Sequence, residues 1–455
     1  SEKWYDADGK SFMAHTGDFV GGNTKVYGGA MFRLRERDFE TVQHKGGISP
    51  EWPVKYRDFE PYYRQAELLY EVHGRRGVDP TEPEMSADYP FPPLAHEPRI
   101  QELSDRLRTR GRSPFHIPLA LKRNETDPLR SPCIRCNTCD GFPCLVEAKA
   151  DADVNGIRPA LRRSNVTLTL HAKVTRLLTG RNARDVSEVE AEVDGEPQRF
   201  RGDIVVVAAG AINSAVLLLR SASDEHPAGL ANSSDQVGRN YMRHLNGAML
   251  GLSRRPNPVV FQKTLAMNDY YWGDESFPFP MGHIQLLGKT DRGLIGADAP
   301  FFAPGFVLDR MARHSVDWWL TAEDLPHPDN RVVVSRDGAV HLQQRDRYHE
   351  HFDRLMDRWK RELKAVDAAG CVLPLSLYLF KQIPTMGVAH QNGTCRFGED
   401  PKTSVLNAYC QTHDVNNLYV VDGSFFCSSG AVNPSLTIAA NALRVGDHLL
   451  ERLGP

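Results

Sequence analysis

The sequence predicts a mixed α/β (α+β) fold, with a doubly wound domain and an inserted domain built on an antiparallel sheet covered by helices. First, residues 204–208 are continuously apolar and lead through Gly210 into a helical segment, a strand–glycine–helix unit typical of doubly wound nucleotide folds. Second, residues 249–335 contain short strand-like segments with Trp and Phe, followed by an amphipathic helical pattern. The first pattern resumes at 418–453, so the strand-rich stretch is predicted to be an insertion.

The individual elements follow from hydrophobic periodicity. Apolar side chains spaced three and four positions apart predict helices, and alternating or continuous apolar runs predict strands. Helices are predicted at 54–73, 99–110, 214–220, 349–364 and 436–453. Strands are predicted at 165–178, 189–193, 203–209, 282–289, 331–335 and 418–422, and the run 204–208 is expected to be buried on both faces.

Composition excludes several classes of protein. The 455 residues carry 55 Lys plus Arg against 58 Asp plus Glu, a net charge of −3, so we expect no nucleic acid partner. With 41% hydrophobic and 25% charged residues the chain should fold into two or three domains. The longest apolar run, 204–212, is less than half of the roughly 20 residues that span a bilayer, so we expect no membrane partner.

The cysteines favour a reducing compartment. The first residues lack the pattern of a signal peptide, and Cys371, Cys395, Cys410 and Cys427 are dispersed, so a cytoplasmic location is expected. The other four cysteines form a segment of spacing C-x2-C-x2-C-x4-C, close to an iron–sulfur pattern. These are Cys133, Cys136, Cys139 and Cys144. Unligated or disulfide-paired cysteines are the favoured interpretation, an iron–sulfur cluster or structural zinc the alternatives, and we assign no metal ligand.

Two regions carry candidate chemistry. The loop at 21–29 has four glycines, which permit close approach of the backbone to a flat ring or a phosphate, although a simple tight turn explains it equally well. No G-x-G-x-x-G motif follows a strand, so a phosphate-gripping turn, if present, is expected before Ser1. Near the C-terminus, His390 precedes a Gly-Thr turn and Asn433 precedes a helix. Together they supply a base of near-neutral pKa and a carboxamide donor close to a helix dipole.

These motifs resemble the glucose–methanol–choline (GMC) oxidoreductases. Residues 20–29 are similar to the loop that packs on the flavin, 205–219 to the second family signature, and 390–398 with 420–447 to the C-terminal active-site block. Their order and spacing match as well. Because the helix-start position holds Asn433, the sequence is most similar to bacterial pyranose-oxidase-like enzymes and glycoside 3-oxidases.

The resemblance implies an FAD-binding domain formed by 1–40, 130–245 and 386–455, and a substrate-binding domain formed by 41–129 and 246–385. It also implies an FAD-dependent sugar or glycoside oxidase with His390 and Asn433 as the catalytic pair. The FAD is expected to be non-covalent, because Val26 stands where fungal relatives carry the flavin-linked His. The expected cofactor-binding residues are Gly21, Gly22, Asn23, Thr24, Tyr27, Gly28, Val174, Ala209, Gly210, Asp422, Gly423, Asn433, Pro434 and Ser435.

The predicted reaction oxidises a secondary sugar hydroxyl to a ketone, with oxygen or another acceptor reoxidising the flavin. Convergent polar groups near an apolar wall suit a sugar, and Gln262, Gln285 and Glu323 beside Trp318 and Trp319 are the candidates. The remaining histidines, among them His244 and His283, are interpreted as structural. Two alternatives stay open: an iron–sulfur-containing FAD sugar dehydrogenase subunit, and a flavin-free carbohydrate-binding relative.

Overall fold

The computed structural model of the protein describes residues 4–12, 16–298, 302–366 and 390–454. The five helices predicted from periodicity are confirmed as α1, α2, α4, α7 and α8 in the following set. The α-helices are α1 (Tyr56–Leu69), α2 (Pro98–Thr109), α3 (Arg158–Ala160), α4 (Ala211–Arg220), α5 (Arg292–Asp298), α6 (Gly305–His314), α7 (Glu350–Val366) and α8 (Ser435–Leu453). Across the described ranges, no helix combines the length and the apolar character that a bilayer crossing needs.

The strands are short and form several small sheets. They are β1 (Trp4–Tyr5), β2 (Ser11–Phe12), β3 (Val42–His44), β4 (Gly47–Ser49), β5 (Val72–His73), β6 (Phe115–His116), β7 (Leu119–Ala120), β8 (Ala172–Thr179), β9 (Val186–Val193), β10 (Glu196–Phe200), β11 (Val205–Val207), β12 (Leu245–Leu252), β13 (Leu265–Met267), β14 (His283–Leu286), β15 (Ser315–Ala322), β16 (Arg331–Val334), β17 (Val340–Gln343) and β18 (Leu418–Val420). The largest sheet has the order β12-β15-β14-β13-β6 and is antiparallel throughout. The mixed fold with antiparallel sheets is therefore as predicted.

The five-stranded sheet has one apolar and one polar face, because side chains alternate along a strand. On β15, Val316, Trp318 and Leu320 belong to a buried core that also contains residues of α2 and α7. The Trp318 ring packs edge-on against Trp359 of α7, with 4.5 Å between ring centroids. The alternate residues, Asp317, Trp319 and Thr321, belong to the opposite face.

The remaining sheets surround a second, larger core. The parallel pair β11–β18 leads into α4 and α8, and it is the strand–glycine–helix arrangement that the sequence predicts. A three-stranded sheet, β10-β9-β8, and a four-stranded sheet, β16-β17-β1-β2, complete this half. Since β1 pairs with β17 on one side and with β2 on the other, residues 4–12 join a strand from the predicted substrate domain. The domain boundaries stay a prediction.

The expectation that residues 204–208 are buried on both faces is wrong. In the described part of the chain β11 pairs with β18 alone, so much of its surface is uncovered. Val207 is buried, whereas Val206 keeps 44% of its surface exposed and Ala208 is exposed. The strand predicted at 165–178 begins only at Ala172, because residues 166–170 are exposed and have no regular hydrogen bonding.

Candidate functional site

His390 and Asn433 lie next to each other. His390 begins the described C-terminal segment, and Asn433 stands just before α8, with Pro434 as the residue that caps the helix. The Asn433 Nδ2 atom is 3.5 Å from the His390 Nε2 atom. Asn433 is buried, whereas His390 is only partly buried. The pair therefore places a carboxamide and an imidazole side by side near the positive end of a 19-residue helix.

The sequence interpretation missed a third member of this site. His244, which we expected to be structural, lies directly before β12 and is fully buried. Its Nδ1 atom is 2.9 Å from the His390 Nδ1 atom, and its Nε2 atom is 3.3 Å from the Ser429 carbonyl oxygen. No sequence signal could have paired it with His390, because 146 positions separate the two histidines.

The loop that supplies the Ser429 carbonyl is held from several sides. Trp52 Nε1 donates to Ser428 Oγ at 2.7 Å, and the Asp324 backbone N–H donates to Ser429 Oγ at 3.2 Å. On the other side of Ser429, the Gly430 N–H donates to the Glu323 carboxylate at 3.3 Å. These bonds fix the position of the carbonyl that His244 contacts.

Trp319 forms a wall of the site. Its ring lies against His390 with 5.0 Å between centroids, and its Nε1 atom donates to Asn246 Oδ1 at 3.4 Å. Asn246 in turn donates to the His244 carbonyl at 2.7 Å. In the strand register, Gln285 of β14 lies opposite Trp319. The polar face of the five-stranded sheet therefore borders His390.

Burial keeps both histidines neutral. It lowers the pKa of His244 to about 4. It also lowers the pKa of His390 well below its usual range, and the positive charge of Lys263 acts in the same direction. A neutral imidazole has an unprotonated ring nitrogen that can accept a proton. The site is therefore arranged for a base at neutral pH.

The three predicted substrate residues differ in what their polar atoms do. Gln262 is committed to the fold, since its Nε2 atom donates to Asp317 Oδ2 at 2.7 Å and its Oε1 atom accepts from Asn257 at 3.1 Å. Glu323 is committed as well, because it accepts from Ser49 at 2.7 Å and lies 3.0 Å from His44 Nε2. Gln285 is fully buried, and its amide atoms have no hydrogen-bond partner among the described residues. Only Gln285 therefore keeps free polar groups beside Trp319.

The glycine loop at 21–29 is pinned by its polar side chains. Thr24 Oγ1 donates to the Gly21 carbonyl at 2.6 Å and accepts from the Ala152 N–H at 3.0 Å. The Tyr27 hydroxyl donates to the Ala150 carbonyl. Gly21 and Gly22 both have positive φ, 92° and 53°, a conformation that favours glycine. The side chains of Thr24 and Tyr27 thus hold the loop in its conformation through hydrogen bonds within the protein.

Asp422 joins the two strand–helix turns. Its carboxylate accepts from the Gly210 N–H at 3.0 Å, from the Ser424 N–H and hydroxyl at 2.9 and 2.6 Å, and from the Ser214 hydroxyl. The predicted cofactor residues Gly210, Asp422 and Gly423 are therefore held together beside His390, since the Gly393 N–H donates to the Gly423 carbonyl at 3.2 Å.

The residues present fit a flat, extended cofactor. A Cβ atom at Gly22 or at Gly210 would meet no atom within 4 Å, so the backbone is open at both turns. Ala209 is exposed beside Gly210, and Val174 of β8 is 43% exposed. Asn23 lies on the glycine loop, and Pro434 and Ser435 lie at the start of α8. The backbone of Gly28 is not open, because Lys263 and Asp140 fill the space where a Cβ atom would lie. Val174 is on a separate sheet, which the hydrogen bonds above do not connect to His390.

The cysteine-rich segment lies on the glycine loop. The Gly141 N–H donates to the Val26 carbonyl at 2.9 Å, and the buried Lys149 ammonium donates to the carbonyls of Cys139 and Phe142 at 2.7 and 2.8 Å. Lys263 forms an ion pair with Asp140. Cys133, Cys136, Cys139 and Cys144 form no disulfide, and within the described residues no three His, Cys, Asp or Glu side chains are arranged to hold a metal ion.

Family models described as GMC oxidoreductase match residues 5–246 and 376–442 of this chain. Paromamine 6'-oxidase from Streptomyces fradiae is 31% identical over 93% of this chain and 77% of its own length. The fructose dehydrogenase large subunit from Gluconobacter japonicus is 27% identical over 95% of this chain and 80% of its own length.

The fold is shared with a solved structure. Pyridoxine 4-oxidase from "Mesorbium loti" superimposes with a TM-score of 0.61 at 18% identity, covering 98% of this chain and 88% of that one. At this identity the likeness shows the fold alone.

Proposed function

Because the chain belongs to the GMC oxidoreductases, we propose that it oxidises a secondary hydroxyl of a sugar or glycoside to a ketone with non-covalently bound FAD. The single observation that carries this proposal is the pairing of a neutral His390 with Asn433 at the start of α8. The names of the relatives support the substrate class, since two of them are named for paromamine and fructose.

The residues that would hold FAD are those of the glycine loop around Gly22, the turn at Gly210, the Asp422–Gly423 turn and the start of α8 at Ser435. Among these, the backbone is open at Gly22 and at Gly210. Bound FAD supplies the acceptor for the hydride that leaves the substrate carbon. Val26 in the glycine loop has no nucleophilic group, which supports non-covalent binding.

Residues of this chain accept the proton of the substrate hydroxyl. As the substrate C–H bond gives up its hydride, the O–H bond breaks, and His390 Nε2 accepts that proton, leaving a ketone. Asn433 Nδ2 donates a hydrogen bond to the same oxygen, and the N-terminal end of α8 favours the negative charge that develops there. Each of these effects is typically worth about two to four powers of ten in rate.

Substrate recognition is assigned to the polar face of the five-stranded sheet. Trp319 offers an apolar wall for a sugar ring, and Gln285 offers a buried donor and acceptor without other partners among the described residues. Gln262 and Glu323, which the sequence also suggested, act by holding the sheet and the 428–431 loop in place.

The electron acceptor is oxygen or another oxidant. The dehydrogenase alternative with an iron–sulfur cluster is the second candidate, and it is supported by the spacing of Cys133, Cys136, Cys139 and Cys144 in the sequence. An iron assay of the purified protein tests it: iron with acid-labile sulfide favours this alternative, and the absence of iron removes it.

The proposal is tested by removing the base. His390→Ala should lower the rate constant of flavin reduction by sugar by about two to four powers of ten, because it removes the base that takes the hydroxyl proton. The FAD content should stay unchanged. Anaerobic stopped-flow absorbance measures both, with His226→Ala, a substitution in the loop after α4, as the control. An unchanged rate constant in His390→Ala would refute the assignment.

A further inference from the structure

We propose that His244 is a positioning residue that fixes which nitrogen of His390 is free to act as the base. The inference rests on the proposed function for its catalytic consequence, but the geometry that carries it does not depend on the substrate. That geometry consists of two hydrogen bonds of His244. One joins His244 Nδ1 and His390 Nδ1 at 2.9 Å, and the other joins His244 Nε2 and the Ser429 carbonyl at 3.3 Å.

The first step is the tautomer of His244. A backbone carbonyl can only accept a hydrogen bond, so the His244 Nε2 atom must carry a proton to bond Ser429. His244 is neutral, because burial lowers its pKa to about 4. A neutral imidazole has one proton on its two nitrogens, so His244 Nδ1 is an acceptor.

The second step is the tautomer of His390, which follows from that of His244. An acceptor at His244 Nδ1 requires a donor 2.9 Å away, so the proton of His390 lies on its Nδ1 atom. His390 is neutral as well, and its Nε2 atom is therefore left with a lone pair. That atom is the one that faces the Asn433 carboxamide. The bare nitrogen thus points to the place where the substrate hydroxyl is expected.

The third step is that the Ser429 carbonyl, where this series of hydrogen bonds begins, is held in a fixed position. The 428–431 loop is held by Trp52, Glu323 and Asp324, and the His244 carbonyl is held by Asn246 at 2.7 Å. The Ser429 carbonyl cannot turn without breaking these bonds. The fixed Ser429 carbonyl therefore determines the tautomer of His244, and His244 in turn determines the tautomer of His390.

Two substitutions of His244 distinguish the effect of its hydrogen bond to His390 from the effect of filling the space. His244→Asn can place an amide oxygen near the position of Nδ1 and keep an acceptor for His390, whereas His244→Phe fills the space but accepts nothing. In the FAD-loaded protein, His244→Phe should slow flavin reduction by substrate by about 10²-fold, because His390 then distributes between tautomers and orientations. His244→Asn should remain within about tenfold of the parent, and the substrate KM should change by less than about threefold in both.

A direct readout of the tautomer needs no turnover. In protein labelled with ¹⁵N-histidine, proton–nitrogen correlation spectra show which ring nitrogen carries the proton, and His390→Ala and His244→Ala assign the two signals. We expect protonation at His390 Nδ1 and His244 Nε2. Protonation of His390 at Nε2, or equal slowing in His244→Asn and His244→Phe, would overturn the proposal. If the spectra show the expected tautomers while His390→Ala keeps full activity, the proposed function fails and the positioning by His244 stands.

Discussion

At the scale of single residues, the sequence located the candidate base and Asn433 but not the histidine that forms a hydrogen bond with the base. His390 and Asn433 were found because each adjoins a recognisable turn or helix start, and the structure places them 3.5 Å apart. His244 carried no such local signal, and its role is defined only by a hydrogen bond between histidines distant in sequence. Gln262 and Gln285 look alike in sequence, and only their hydrogen-bond partners distinguish them.

The lowered pKa of His390 predicts the shape of the pH profile. The base works only when unprotonated, so activity is retained above its pKa and lost below it. Because burial holds that pKa well below the ordinary value of about 6.5, the acid limb of kcat/KM should fall below pH 6.5. Steady-state rates from about pH 8 to pH 4.5, with brief assays, measure the limb. A midpoint at or above pH 6.5 would contradict the proposed state of His390.

At the scale of elements, the sequence located the five helices but missed an important strand and misjudged the burial of a short apolar run. The strand β15, which carries Trp319 next to His390, was not among the predicted strands. For β11, the continuous Val run predicted burial on both faces, but an apolar sequence does not reveal how many strands pair with it. Sequence periodicity reports on one strand, and burial depends on its neighbours.

Two glutamines of the sheet region give a matched test of binding against structure. Gln285→Leu should raise the KM for sugar about tenfold or more at unchanged thermal stability, because it removes buried polar atoms that no described residue satisfies. Gln262→Leu should cost about 1–3 kcal/mol of unfolding free energy, because it leaves Asp317 and Asn257 short of a partner.

Denaturant unfolding and steady-state kinetics of both variants provide the measurement. Loss of stability without a change of KM in Gln285→Leu would show that Gln285 is a structural residue and would remove it from the substrate site.

At the scale of the whole molecule, the fold class and family followed from the order and spacing of motifs along the chain. The two buried cores and the pairing of β1 with β17 did not, because residues 4–5 and 340–341 meet only in the folded chain. Much of the interior is also more polar than a hydrophobic pattern suggests. Burial lowers the pKa of eight described histidines, which are His73, His96, His116, His244, His283, His351, His390 and His448.

From the lowered pKa values of these histidines, we expect the free energy of unfolding to decrease in mild acid. Their folded pKa values lie below the unfolded value of about 6.5, so the unfolded chain binds more protons once the pH drops below that value. At about pH 5, His244, His283 and His351, whose folded pKa values are about 4, 3 and 4, should each cost about 2 kcal/mol.

Two buried carboxyls act in the opposite direction. Burial raises the pKa of Asp38 and of Asp324 to about 7, so both stabilise the fold in acid and lose that effect as the pH rises through 7. Because the histidines outnumber them, Tm measured by calorimetry should fall between about pH 6.5 and pH 4.5. A constant or rising Tm over this interval would contradict the buried, neutral state of the histidines.

The most direct test of the central claim is an anaerobic absorption spectrum of the FAD-loaded protein, recorded before and after adding a panel of sugars and glycosides. The account predicts a two-banded flavin spectrum that bleaches with at least one of these substrates, and no bleaching on the same timescale in His390→Ala. A flavin spectrum that stays unchanged with every member of the panel, or a protein that remains colourless with excess FAD, would contradict it.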